Sequence, residues 1–151
     1  MNPASPGAPI PERPVVDASV AVKWFLTAED NAGQAGRLLR NERPLLVPDL
    51  IFPEVGNIVW KQVRKGELPP AEAVAIAGNL GRLGLTVFPA PPLIASAVAV
   101  ACATGRTAYD SLYVALALQE GTVLVTADEK LFNALQGTEY ALLLFRAENI
   151  I

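Results

Sequence analysis

The stretch GRTAYDSLYVALALQEGTVLVTADEKLF, Gly105–Phe132, spells out a helix, a turn and a strand in succession. Thr107 carries a side-chain oxygen suited to cap a helix over Ala108–Gln119. Gly121 punctuates, and TVLVT follows as the most strand-like segment of the chain. The stretch places Asp110 in the first turn of the helix and Asp128 just past the strand. The fold and the chemistry both turn on what those two acids are doing.

Outward from this stretch the alternation repeats. RPVVD gives a short buried strand, Pro14–Val16, with Asp17 at its end and a helix starting near Ser19. A helix over about Asp30–Asn41 leads to PLLVPD, a second strand, after which Asp49 is placed to cap a long helix running to about Lys65. Glu54 lies in its early turns. A further helix follows in GELPPAEAVAIAGNLGRLG. LTVFPAP is a third strand stopped by prolines, and PLIASAVAVACATG is an apolar helix ended by Gly105. Beyond TVLVT come a last helix near Glu129–Leu135 and an edge strand, ALLLF. Strands alternating with helices imply right-handed crossovers and a parallel sheet between helical layers. The expected fold class is therefore α/β: a three-layer α/β/α sandwich with a central, mainly parallel sheet of about five short strands. Residues 14–151 form one domain in this reading, and 1–13, MNPASPGAPIPER, form a disordered proline-rich tail.

Composition narrows the chemistry. The 151 residues contain no histidine, which excludes serine–histidine and cysteine–histidine nucleophile pairs, histidine–zinc sites and histidine acid/base ribonuclease chemistry. Cys102 is the single cysteine, so no internal disulfide forms; it reads as a small buried hydrophobe, and the protein as one of the reducing cytoplasm. The apolar run Leu93–Ala103 is too short to span a bilayer, so no membrane association is expected. Apolar residues reach 52% of the chain, and the mean hydropathy of +0.33 is high for a small soluble protein. Some apolar surface is therefore expected to be covered by a dimer mate or another chain. A net charge of −3 argues against a large basic nucleic-acid footprint.

In an open parallel sheet, ligands collect beyond the carboxyl ends of the strands, where the strand order reverses. Asp17 and Asp128 occupy such ends, and Glu54 and Asp110 lie in first turns of helices that begin on that side. Four carboxylates can thus share one rim. An oxygen-rich, histidine-free cluster suits Mg²⁺ or Mn²⁺. Each acid also has a purely structural explanation. TAYD reads as a capping box, Asp17 and Asp128 are placed to cap helices, and Glu54 complements a helix dipole.

The segments VVDASVAVKWF, PDLIFPEVGNIVW, TAYDSLYVALA and VLVTADEKL occur in the order and spacing of PIN-domain proteins, and closely resemble the VapC-type toxins of toxin–antitoxin pairs, over Val15 to about Phe145. The resemblance implies a PIN-like fold and a metal-dependent endoribonuclease leaving a 5′-phosphate and a 3′-hydroxyl. It places the acidic, metal-binding cluster on Asp17, Glu54, Asp110 and Asp128, with Mg²⁺ (or Mn²⁺) as cofactor. Ser19, Asn57, Thr107 and Thr126 stand where similar proteins carry polar residues behind the acids. It further implies a cognate antitoxin protein and a homodimer as partners, and RNA as substrate. Phosphate contacts would come from Lys23 and from Lys61, Arg64 and Lys65, which align at i, i+3 and i+4, with Arg37 and Arg40 as a smaller pair. Tyr109 and Tyr113 are expected as core aromatics. Two other readings stand beside this one: a non-catalytic PIN-like interaction module, and a carboxylate/Mg²⁺ phosphotransfer protein. The phosphatase form of the latter wants a second aspartate where Ser19 stands.

Overall fold

Valine-rich pairs and triplets form the sheet. A computed structural model describes residues 9, 11–26, 32–40 and 42–150. The strands are β1 (Val15–Val16), β2 (Leu46–Pro48), β3 (Thr86–Phe88), β4 (Leu124–Thr126) and β5 (Leu144–Arg146). Among the described residues the helices are α1 (Ala18–Ala21), α2 (Ala32–Arg40), α3 (Ile51–Arg64), α4 (Pro70–Leu80), α5 (Ile94–Thr104), α6 (Ala108–Glu120) and α7 (Glu129–Leu135). The start and end of the helix expected over Asp30–Asn41 fall outside the described residues.

All strand pairs are parallel, in the order β3-β2-β1-β4-β5. Right-handed crossovers put the helices after β1 and β2 on one face of the sheet and those after β3 and β4 on the other. The chain therefore builds outward in one direction from β1 and in the opposite direction from β4. These two strands are neighbours, in register at Val15–Leu124 and Val16–Val125. The reversal opens a crevice at their carboxyl ends. The inner strands β1, β2 and β4 are completely buried, as continuous apolar runs in a parallel sheet should be. β3 and β5 are the edges, and β3 is largely exposed.

The central helix α6 is buried at every position from Ser111 to Ala117, on all sides rather than along one stripe. It packs against β1, β2 and β4 and along α5. Its start is fixed by the Thr107 hydroxyl, which accepts from the Asp110 amide at 3.1 Å. Its end is fixed by Gly121, at φ 62° in the left-handed region where glycine carries no Cβ penalty.

Two local expectations are revised, at Asp49 and Cys102. Asp49 does not cap α3: its carboxylate accepts from the Ala90 amide at 3.3 Å, and its own amide donates to the Phe88 carbonyl at 2.9 Å. The pairing of β2 with β3 runs one residue beyond the strands, and it consumes the side chain that would have capped the helix. Cys102 is exposed, because α5 buries only Ala97 and Val100 and turns its remaining apolar residues outward. Of the N-terminal stretch 1–13, residues 9 and 11–13 are described; the Pro11 carbonyl accepts from Arg43, and Arg13 pairs with Glu120 at 3.4 Å.

Candidate active site

The crevice between β1 and β4 is closed by a polar network centred on Asp17. This residue follows β1 in extended backbone and is buried. Its Oδ1 accepts from the Ser19 hydroxyl at 2.5 Å and the Val20 amide at 3.2 Å, and its Oδ2 accepts from the Thr126 hydroxyl at 2.5 Å. Such short O–H to carboxylate contacts belong to charge-assisted bonds. The two hydroxyls also accept: Ser19 Oγ takes the Ala127 amide across the sheet, and Thr126 Oγ1 takes the Asp128 amide two residues on, each at 3.0 Å. Ser19 and Thr126 thus tie the end of β1 to the end of β4 through Asp17. Burial raises the Asp17 carboxyl from 3.8 to about 6; the bonds from Ser19, Thr126 and Val20 oppose the rise, and the charge of Asp128 adds to it.

Glu54 comes from the first turn of α3. Its Oε1 is buried without a hydrogen bond, and so is the hydroxyl of Tyr113, which approaches it without meeting hydrogen-bond geometry. Burial lifts the Glu54 carboxyl from 4.5 to about 7; the nearby Tyr113 hydroxyl opposes this, while the charges of Asp17 and Asp110 reinforce it. Burial, and then the charges of Glu54 and Asp17, push the Tyr113 hydroxyl far above its ordinary range. Asp110, in the first turn of α6, is held by Arg106 Nη2 at 3.0 Å. Asp128 caps α7, both bonds falling on Oδ1: the Lys130 amide at 2.9 Å and the Leu131 amide at 3.1 Å.

Asp17, Glu54, Asp110 and Asp128 line one cavity of about 130 Å³, together with Ser19 and Tyr113. The capping roles of Asp17 and Asp128 are real, and they coexist with the convergence. Helices that begin at strand ends point their amino termini, and their capping acids, toward the same crevice. The cavity has room for several waters, which suits a hydrated ion. Among the described residues, however, no three acids close on a common point as a ready-made ion site. The bonding pattern gives the reason: Arg106 draws off Asp110, the α7 amides hold Asp128, and hydroxyls engage Asp17. In kind the donors fit a hard divalent cation. They are all oxygens, the charge of Asp128 adds to the rise at Asp17 and those of Asp17 and Asp110 to the rise at Glu54, and the buried Glu54 Oε1 lacks a partner.

Two wider clefts flank the cavity. One, of about 460 Å³, shares Glu54 and Asp110 and is bordered by Asn57, Lys61, Thr107 and Tyr109. The other, of about 300 Å³, shares Asp128 and is bordered by Lys23, Thr126, Phe132 and Arg146. Lys23 and Lys61 therefore line different clefts, the first beside Asp128 and the second beside Glu54 and Asp110. Arg64 does not line either cleft; its guanidinium lies over the Trp60 ring at 5.1 Å. Lys65 sits at the carboxyl end of α3, beyond both clefts. Thr107 serves as the α6 cap. Tyr113 is a core aromatic, but Tyr109 is 66% exposed on the cleft wall. Sequence reasoning missed Arg106, for which the i, i+4 spacing to Asp110 was the available signal. It also missed Arg146 and Phe132, which come together only through the pairing of β4 with β5.

Residues 15–137 match the family model of the PIN domain, and the chain belongs to that family. Within it the similarity is to VapC proteins: Ribonuclease VapC3 of Pyrobaculum aerophilum is 36% identical over 119 residues, covering 78% of this chain and 90% of that one. The crystal structure of PAE2754 from the same organism superposes with a TM-score of 0.67 at 27% identity, over 91% of this chain and 84% of that one. That of Mycobacterium tuberculosis VapC20, described as a Sarcin-Ricin loop cleaving toxin, shares the fold (TM-score 0.63, 17% identity, 80% and 93% covered).

Proposed function

We propose that the chain is a divalent-metal-dependent endoribonuclease and the toxin of a toxin–antitoxin pair. The observation that carries this reading is the convergence of Asp17, Glu54, Asp110 and Asp128 on one small cavity at the reversal of strand order. A bound Mg²⁺ or Mn²⁺ would supply an activated water and neutralise charge growing on the phosphate.

The chain's own residues do the rest. Asp17, Asp110 and Asp128 would hold the ion directly or through water. Glu54, with its unpartnered oxygen and a carboxyl raised to about 7, is poised to orient the water and take its proton near neutral pH. Ser19 and Thr126 fix the Asp17 carboxylate and so the spacing between the two strand ends. The RNA would present a phosphate to the four acids while its flanking nucleotides occupy the two clefts. Lys61 would counter a flanking phosphate in the cleft it borders.

For partners we infer a cognate antitoxin and a second copy of this chain. The outward apolar face of α5, with Ile94 and Val98 nearly half exposed, supports an interface. No helix of the described residues is long and apolar enough to cross a membrane. A cytoplasmic protein acting on RNA is the reading adopted. The direct test is cleavage of RNA by antitoxin-free protein in Mg²⁺, Mn²⁺ or EDTA. Metal-dependent cleavage supports the proposal, whereas metal-independent cleavage, or none across diverse RNAs, overturns it.

A further inference from the structure

The cleft beyond Asp128 has a construction of its own. Its volume of about 300 Å³ lies at the lower end of the range for small-ligand pockets, about 300–1,000 Å³. One wall is the Phe132 ring with the Arg146 guanidinium over it, 5.2 Å from the ring centre. Arg146 is oriented by two carboxylates, Glu129 at 3.2 Å and Glu148 at 2.8 Å. A planar cation fixed against an aromatic ring is a stacking platform for a base. The wall is also rich in acceptors, with three acids, Asp128, Glu129 and Glu148, against two cations, Lys23 and Arg146. That balance disfavours a second phosphate and favours a group that donates hydrogen bonds.

We propose that this cleft binds one nucleobase of the RNA next to the scissile phosphate and selects guanine; the inference rests on the nuclease reading above. An ionised carboxylate only accepts. Guanine alone among the four bases offers it two adjacent donors, N1–H and the N2 amino group. Adenine and cytosine place a ring acceptor beside their amino group, and uracil has one N–H between two carbonyls. Glu148 is the carboxylate assigned to this edge, since its side chain is less exposed than that of Glu129 (42% against 76%) and its Oε1 is already anchored by Arg146. The base would stack on the Arg146 guanidinium, which itself rests on the Phe132 ring, and the sharing of Asp128 with the acid cavity puts the attached phosphate within one nucleotide of the acids.

The test is equilibrium binding of short single-stranded RNAs to an Asp110→Asn chain, followed by fluorescence anisotropy. Three oligonucleotides differ at one position: guanosine, inosine (which lacks the N2 amino group) or adenosine. The guanosine oligomer should bind about tenfold tighter than the other two, the scale of one bidentate base contact. Glu148→Gln should erase that preference while leaving adenosine-oligomer affinity within about twofold. Phe132→Ala should weaken all three by about fivefold or more. Phe132→Leu keeps apolar packing without a flat face and should do the same if Phe132→Ala fails to fold. Equal affinities for the three oligomers, or a guanosine preference untouched by Glu148→Gln, overturn the proposal. Cleavage is scored separately with wild-type chain and metal. Cleavage without base preference removes the subsite alone, and base preference without cleavage removes the nuclease reading alone.

Discussion

Replacing Asp17 by asparagine removes one charge from a buried position and keeps the side chain's size. Burial holds the wild-type carboxyl at about 6 instead of 3.8, so the native state binds more protons than the unfolded chain between those values. Stability therefore falls as pH rises from about 4 to 6 and stays low above, a cost of roughly 3 kcal/mol at 1.36 kcal/mol per pKa unit. The asparagine oxygen can still accept from Ser19 and Val20. Its amide, however, meets the Thr126 hydroxyl, which must reverse and lose the partner for its own proton while it continues to accept from the Asp128 amide. That loss offsets about 1–2 kcal/mol. The net gain at pH 8 is about 1–2 kcal/mol, or a Tm rise of about 2–8 °C for a domain of this size. At pH 4 the charge contribution has largely gone and the variant becomes the less stable protein, with the crossover at about pH 5. Thermal melts in EDTA from pH 4 to 8 check this. A Tm difference of constant sign and size across that range would refute the reasoning. The same substitution should abolish RNA cleavage, placing the fold's cost at its functional site.

Three further outcomes follow from the same geometry. Thr126→Val keeps the shape but strips Asp17 Oδ2 and the Asp128 amide of their shared hydroxyl, and should lower stability at pH 8 by about 1–3 kcal/mol in a denaturant titration. Arg106→Met frees Asp110 from its 3.0 Å ion pair; the Mg²⁺ or Mn²⁺ concentration giving half the maximal Tm rise should drop by up to about fivefold, the equivalent of the ~1 kcal/mol of a partly exposed pair, and an unchanged midpoint would show that Arg106 does not compete with the ion. Val98→Asp puts a charge on the exposed face of α5 and should convert a dimer to monomer in sedimentation, with an unaltered melting profile for the monomer.

The strands were legible because buried parallel strands are short apolar runs, and VVD, LLVP and VLVT have no competing helical period. Their carboxyl ends are legible for the same reason, which is how the sequence alone assigns Asp17 and Asp128 to one rim. What escaped depends on neighbours distant in sequence. Asp49 looked like a helix cap, but β3 arrives beside it and takes its carboxylate. Cys102 and Tyr109 lie in apolar-looking helices, yet which face of α5 and α6 meets the sheet is decided by packing, not by composition. The pairing of Arg146 with Phe132, Glu129 and Glu148 joins the last strand to α7 across the sheet edge, and no local pattern announces it.

On the proposed function, Asp110 is a metal-binding acid and not merely a first-turn residue of α6. RNA cleavage and divalent-ion-induced Tm shifts should be measured side by side for wild type and Asp110→Asn, antitoxin-free, at pH 8. The Thr107 cap bonds the Asp110 amide and survives the change, so losing the dipole-favourable charge should cost at most about 1 kcal/mol of stability in EDTA. Wild type should cleave only with Mg²⁺ or Mn²⁺ and gain Tm from the ion, and the folded variant should do neither. A folded Asp110→Asn protein that still cleaves RNA, or a wild type that gains no Tm from either ion, would contradict the claim.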